Sequence, residues 1–275
     1  MTSSDARAGS VISFENVRLG FDEGDILRNL SFYVASGETL ALIGETGSGK
    51  TLALKLAAGL LQPDSGRVRV LGSDVSSMTE DELLAFRRQI GFVFQEGALF
   101  DSLTVGDNVA YRLREDGVPE EEIKPRVHEA LRFVELEDAL EKLPAELSGG
   151  MRRRVSIARA LVSHPPVVLY DSPTAGLDPV TSQTIITLLL RLRDLQGVTA
   201  ILATHRLQDV FALANYCFDA ASGRVVHRPE PPDAASRNGF PLTRFLVLRD
   251  GAVYFEGDQQ AVLSSPDPYL KRFLV

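Results

Sequence analysis

The chain is poor in the features that mark several protein classes. One cysteine, Cys217, stands among 275 residues. An internal disulfide and a cysteine-held metal cluster are therefore excluded, and a reducing compartment is indicated. The lone thiol reads as a small buried hydrophobe. No apolar run approaches the ~20 residues that span a bilayer, and the opening MTSSDARAGSV lacks the basic and apolar regions of a secretory signal. The expectation is a protein of the cytosol. A basic surplus is missing too: 29 Lys and Arg against 37 Asp and Glu leave a formal charge of −8. This balance argues against a nucleic-acid partner held through a general basic face. The short clusters RRQ at 87–89 and RRR at 152–154 read as solvated helix faces. There is no internal repeat.

What is present is enough apolar sequence, 44% of the chain, to bury a full core. Residues 11–18, 31–34, 39–43 and 67–71 are short β-branched and apolar segments separated by glycine-bearing turns, a β-rich edge. From 77 to about 165 apolar residues recur at helical spacing with acidic residues near the segment starts, which predicts a helical lobe. Residues 167–170 and 200–203 are continuous apolar runs that suit central parallel strands covered on both faces. Residues 228–241 pack prolines among polar residues and read as a surface loop, within a stretch, 224–243, that interrupts the pattern. Residues 245–258 predict a hairpin turning at Asp250–Gly251, and the tail to 275 a short closing helix.

The strongest signal is GETGSGKT at 44–51, after an apolar strand and before an amphipathic segment. It is the GxxxxGK[ST] phosphate loop in its required context. Gly47 and Gly49 permit positive φ angles, so successive amides can turn toward an anion. Glu45, Thr46 and Ser48 complete the loop that begins at Gly44. Lys50 supplies a compact cation for the β- and γ-phosphates, and Thr51 a hydroxyl for Mg²⁺. Five further motifs follow in order: Phe94–Gln95 at the end of GFVFQ, LSGGM at 147–151, VVLYDSP at 167–173, AGLDP at 175–179 and ATH ending at His205. Asp171 is a carboxylate at the carboxyl end of a buried strand, where open α/β sheets place their ligands. Ser148, Gly149 and Gly150 precede an arginine-rich helix and form a second potential anion site, although a plain N-cap serine is the simpler reading of Ser148 alone.

At LSGGM the chain resembles the ATP-binding-cassette ATPases, over residues 11–223 and 244–257. The resemblance implies an α/β P-loop NTPase core with a mostly parallel central sheet, an antiparallel β edge and a helical signature-motif subdomain. It places these in one domain spanning 1–275, with the core at 11–76 and 167–257, helices at 77–165, an inserted loop at 224–243 and a tail helix at 258–275. It implies ATP and Mg²⁺ as cofactors, with Thr51, Gln95 and Asp171 on the metal and His205 at the γ-phosphate. Phe21 stands where the family stacks an aromatic on adenine, with a core phenylalanine as the other reading. Two chains would pair head to tail, Ser148 of one closing over ATP held by Lys50 of the other, with Asp178 bridging the two sites.

One departure matters. The family has a glutamate after the Mg²⁺ aspartate, and this chain has Ser172, whose hydroxyl is no base near neutral pH. Loss of a general base costs about 10²–10⁴ in rate. Three readings stay open: slow turnover organised by His205 and the backbone, a base from elsewhere such as Glu96 or a partner chain, or a subunit that binds ATP and hydrolyses it poorly. Slow hydrolysis is the expectation. The stretch QEGALFDSLTVGDNVAYRLRE from Gln95 and the closing DPYLKRFL resemble the Mla/Mce lipid-trafficking ATPases. That likeness implies a place at the cytoplasmic face of the inner membrane, an integral membrane permease received near 95–109, an Mce-type lipid-binding protein, and a phospholipid or other hydrophobic solute. An amino-acid importer ATPase, differing by few residues here, is the alternative, with a regulatory or silent ATP-binding cassette that has no permease as the reading from another class.

Overall fold

The computed structural model describes residues 9–22, 24–228 and 243–273. Strands β1 (Ser10–Phe21) and β2 (Gly24–Ala35) open the chain as an antiparallel pair. Then come β3 (Thr39–Ile43), α1 (Lys50–Ala57), β4 (Ser65–Val70) and β5 (Ser73–Asp74). A middle stretch carries α2 (Glu80–Arg87), β6 (Ile90–Val93), α3 (Val105–Glu115), α4 (Glu120–Phe133) and α5 (Gly149–Leu161). The chain continues through β7 (Val167–Asp171), α6 (Pro179–Gln196), β8 (Thr199–Thr204), α7 (Leu207–Asn215), β9 (Tyr216–Asp219) and β10 (Arg224–His227). It closes with β11 (Thr243–Arg249), β12 (Ala252–Gly257), α8 (Gln259–Ser264) and α9 (Pro268–Lys271).

Six strands form the central sheet in the order β12-β11-β3-β8-β7-β6, all parallel except the edge strand β12. A second, antiparallel sheet runs β2-β1-β4-β5. Strands β3, β7 and β8 are buried at every position, as apolar runs covered on both faces must be. Their side chains alternate between two cores, because successive residues of a strand point to opposite faces. Leu40, Leu42, Leu169 and Ile201 pack with Phe14, Leu30, Val68 and helix α1. Ala41, Ile43, Tyr170 and Leu202 pack with α3 to α7. Each fully buried Leu, Ile or Phe among these contributes about 1.5–3 kcal/mol relative to exposure.

Three expectations change. The stretch from 77 to 165 is not wholly a helical layer: the strand expected at GFVFQ, β6, joins the central sheet beside β7, and α2 buries Leu83 and Phe86 in the core of the β-rich side. Residues 224–227 are not loop: β10 pairs with β9, Val226 opposite Cys217. The proline-rich residues that follow lie, from 229 to 242, outside the described ones. The tail is two short helices rather than one, each with an aspartate N-cap, Asp258 and Asp267, and Pro266 between them. The hairpin expected at Asp250–Gly251 is present, both residues having positive φ, 51° and 77°. That pair of left-handed residues is what a two-residue hairpin turn demands.

Candidate nucleotide site

The parallel register gathers the site. Ile43 lies opposite Thr204, Asp171 opposite Ala203 and Val93 opposite Tyr170, so β3, β8, β7 and β6 end along one edge. The residues just past those ends are Gly44, His205, Ser172 and Phe94–Gln95. A cleft of about 290 Å³ forms there, lined by Thr46, Gly47, Lys50, Thr51, Gln95, Ser172 and His205, with Ile26 of β2 on its wall.

Two glycines make the loop possible. Gly47 and Gly49 have φ of 85° and 96°, and a Cβ on Gly49 would lie 2.4 Å from Leu27. Gly49 is also the N-cap of α1 and contributes no side-chain cap bond, so the first turn of α1 keeps its amides for another acceptor. Lys50 Nζ donates to the carbonyls of Gly44 and Glu45, both at 2.8 Å. Burial holds its pKa below the ordinary lysine value, partly offset by the charge of Asp171. With Ser48 Oγ at 3.4 Å, its ammonium is held over the loop by three neutral acceptors, the arrangement a phosphate would replace with anionic oxygens.

Thr51 Oγ1 donates to both carboxylate oxygens of Asp171, at 3.1 and 2.9 Å. Burial raises the Asp171 pKa, with Thr51 and Lys50 opposing that shift. A buried carboxylate, a hydroxyl and the nearby Gln95 amide offer hard oxygen donors, and they suit Mg²⁺ with nucleotide oxygens as its remaining partners. Ser172 is buried with φ 47°, its N–H donating to Ala203 O at 2.8 Å. A left-handed conformation at a non-glycine residue beside a cleft is backbone strain of the kind functional sites carry.

Several expected site residues lie elsewhere. Phe21 is 54% exposed at the end of β1, which rules out the core reading, but it is not among the side chains lining the cleft. Ser148 is the N-cap of α5 and accepts from Met151 N at 3.2 Å. Gly150 is buried, and a Cβ there would stand 2.3 Å from Thr181. Asp178 caps α6, accepting from Val180 N and Thr181 N at 3.0 Å each, and these bonds hold its pKa low together with the Thr181 hydroxyl, the largest cause. Neither Ser148 nor Asp178 lines the cleft of its own chain. Glu96 is exposed and also absent from that lining.

The sequence reading missed two groups. The arginines at 152–154 are not a solvated face: Arg153 is 7% exposed and Arg154 is half-buried. Helix α5 packs between the other helices and the sheet edge, so all but Arg152 point inward. The tail also reaches the phosphate loop. Tyr269 and Arg272, with Arg249, line a polar cleft of about 320 Å³ whose opposite wall is Glu45 to Ser48. Arg249 lies over the ring of Tyr269, a contact that no local pattern signals.

The ABC transporter family model matches residues 27–175. This chain belongs to the ABC transporter family. It is an ATP-binding subunit of that family, an ATPase using ATP with Mg²⁺. The methionine import ATP-binding protein MetN of Carboxydothermus hydrogenoformans is 38% identical over 219 residues, 80% of this chain and 65% of that protein. MetN 1 of Salmonella typhimurium is 36% identical over 262 residues, 94% of this chain and 76% of that protein. The dimeric post-hydrolysis structure of the ATP-binding cassette MJ0796 bound to ADP and Pi superposes with a TM-score of 0.74 at 30% identity, covering 90% of this chain and 98% of that one. Among the described residues of this ABC protein, no helix is long and apolar enough to cross a membrane. The Mla/Mce likeness finds no support among these, the two sequence relatives carrying methionine-import names.

Proposed function

We propose that this ABC ATPase powers an importer of a small amino acid of the methionine type, binding ATP between two head-to-tail copies and driving a membrane permease from the cytoplasmic face of the inner membrane. The observation that carries this reading is the identity of 36–38% to methionine import ATP-binding proteins over 80–94% of the chain. It replaces the phospholipid cargo and the Mce-type partner. In the cleft, loop amides and Lys50 would bind the phosphates, and Thr51, Asp171 and Gln95 would hold a Mg²⁺, which would supply neutralisation of developing charge. His205 faces the same cleft and orients the attacking water. Ser172 gives hydrogen bonding without basicity, so positioning and charge stabilisation carry the reaction and turnover is slow. Ser148 and Asp178, both exposed, are where a second copy would complete the site. The permease would dock beside Gln95, where a groove of about 600 Å³ is lined by Phe94, Ala98, Phe100 and Tyr111.

The test is transport. Membrane vesicles carrying this protein and its copurified permease should accumulate labelled methionine, or a close amino acid, only with ATP inside the compartment that holds the ATPase. Failure with every amino acid tried, together with ATP-dependent movement of labelled phospholipid, would restore the lipid reading.

A further inference from the structure

Arg153 is a buried guanidinium whose hydrogen bonds end on backbone carbonyls, not carboxylates, among the described residues. Its Nη1 donates to Phe94 O at 2.8 Å and its Nη2 to Ala175 O at 3.5 Å. Phe94 immediately precedes Gln95, and Ala175 lies in the loop between Ser172 and Asp178. The helix that carries Arg153 starts at Ser148. One side chain thus joins the three segments that hold Gln95, Asp178 and Ser148. Arg159, two turns further along α5, fixes the other end of the Gln95 loop by donating to Gly97 O and Ala98 O at 2.9 and 2.7 Å. The adjacent Arg154 supplies the contrast: it donates to Val134 O and Glu135 O, inside the helical layer alone.

Burying a guanidinium against neutral acceptors is costly, and hydrophobic residues of similar volume serve a core as well. What a guanidinium adds is reach in two directions at fixed geometry, through donors in a planar fork. We propose that Arg153 is a positioning residue that locks the Ser148 end of α5 at a set angle to the Gln95 and Asp178 loops, so that one copy presents its Ser148 preorganised to the nucleotide of the other. The proposal rests on the head-to-tail pairing proposed above. Without the lock the helical layer samples more orientations, and pairing must pay that ordering entropy.

The experiment measures ATP-dependent pairing of the purified full chain by sedimentation, with ATP affinity and melting temperature recorded on the same samples. Arg153→Gln should keep ATP affinity within twofold of the parent and raise the ATP concentration needed for pairing at least tenfold. Arg154→Gln should lower the melting temperature yet pair within twofold of the parent. Arg153→Lys, which can reach one carbonyl at a time, should fall between, three- to tenfold weaker than the parent, and decides the matter if the glutamine variant does not fold. Pairing of Arg153→Gln at the parent's ATP concentration overturns the proposal, as does equal weakening by Arg154→Gln, or parent-like pairing by Arg153→Lys. A parent that binds ATP and stays monomeric overturns the head-to-tail reading itself, and this proposal falls with it.

Discussion

Helices α1 and α5 both begin at glycine-rich segments that sequence marks as anion sites, yet their first turns are built differently. At α1 the cap is Gly49 in a left-handed conformation with no side-chain bond, and Lys50 and Thr51 point into a cleft shared with Gln95, Ser172 and His205. At α5 the cap is Ser148, whose hydroxyl is already engaged by Met151 N, and Gly150 is packed against Thr181. The first helix start lacks a side-chain cap and faces a cleft of its own chain, whereas the second is capped by its own serine and exposes Ser148 and Gly149 outward. A motif for anion binding therefore says what a loop can do. The packing around it says whether it does so alone or toward another molecule.

The comparison can be broken most forcefully at the first start. Lys50→Ala should lower ATP hydrolysis by about 10³, since one preorganised cation at a phosphoryl group is worth several kcal/mol, with phosphate release as the readout. A residual rate within tenfold of the parent would mean that Lys50 does not face the phosphates. Ser172→Glu sharpens the same cleft in the other direction. It should raise turnover about 10²-fold by supplying a base, and an unchanged rate would place water activation elsewhere. At the second start the expected effects are on stability. Gly150→Val places its branched side chain where Thr181 already stands and should cost about 1–3 kcal/mol as overpacking, read as a fall in the denaturant midpoint. Smallest is Ser148→Ala, expected to lose about 1 kcal/mol of helix capping while ATP affinity in the monomer stays unchanged. A tenfold loss of that affinity would show that the two starts belong to one site within a single chain.

Much of the site was legible before folding was considered. The phosphate loop, the strand-end positions of Gln95, Asp171 and His205 and the Asp250–Gly251 turn depend on local chemistry: glycine for positive φ, buried apolar strands, a carboxylate where a parallel strand ends. Phe21, read as a stacking residue with a core phenylalanine as the alternative, lies exposed and outside the cleft lining, because a strand-end aromatic carries no local sign of the face it turns to. The arginines at 152–154 were misread as solvated, because a run of charges shows nothing of what lies beside it. Arg153 finds its carbonyl 59 residues away in sequence. The tail's approach to Glu45–Ser48 was invisible for the same reason.

By itself the sequence determined that a phosphate-loop motif follows β3, that the strands around that loop are buried and parallel, and that Ser172 stands where the family has a carboxylate base. These follow from residue type and order, since hydrophobic periodicity and glycine conformations act over a few residues. Only the tertiary structure decided which side chains meet across the strand ends, that Ser148 is capped away from its own cleft, and that Arg153 lies buried between α5 and the sheet edge. Those outcomes depend on contacts between segments distant in the chain, whose partners are selected by the packing of both cores at once.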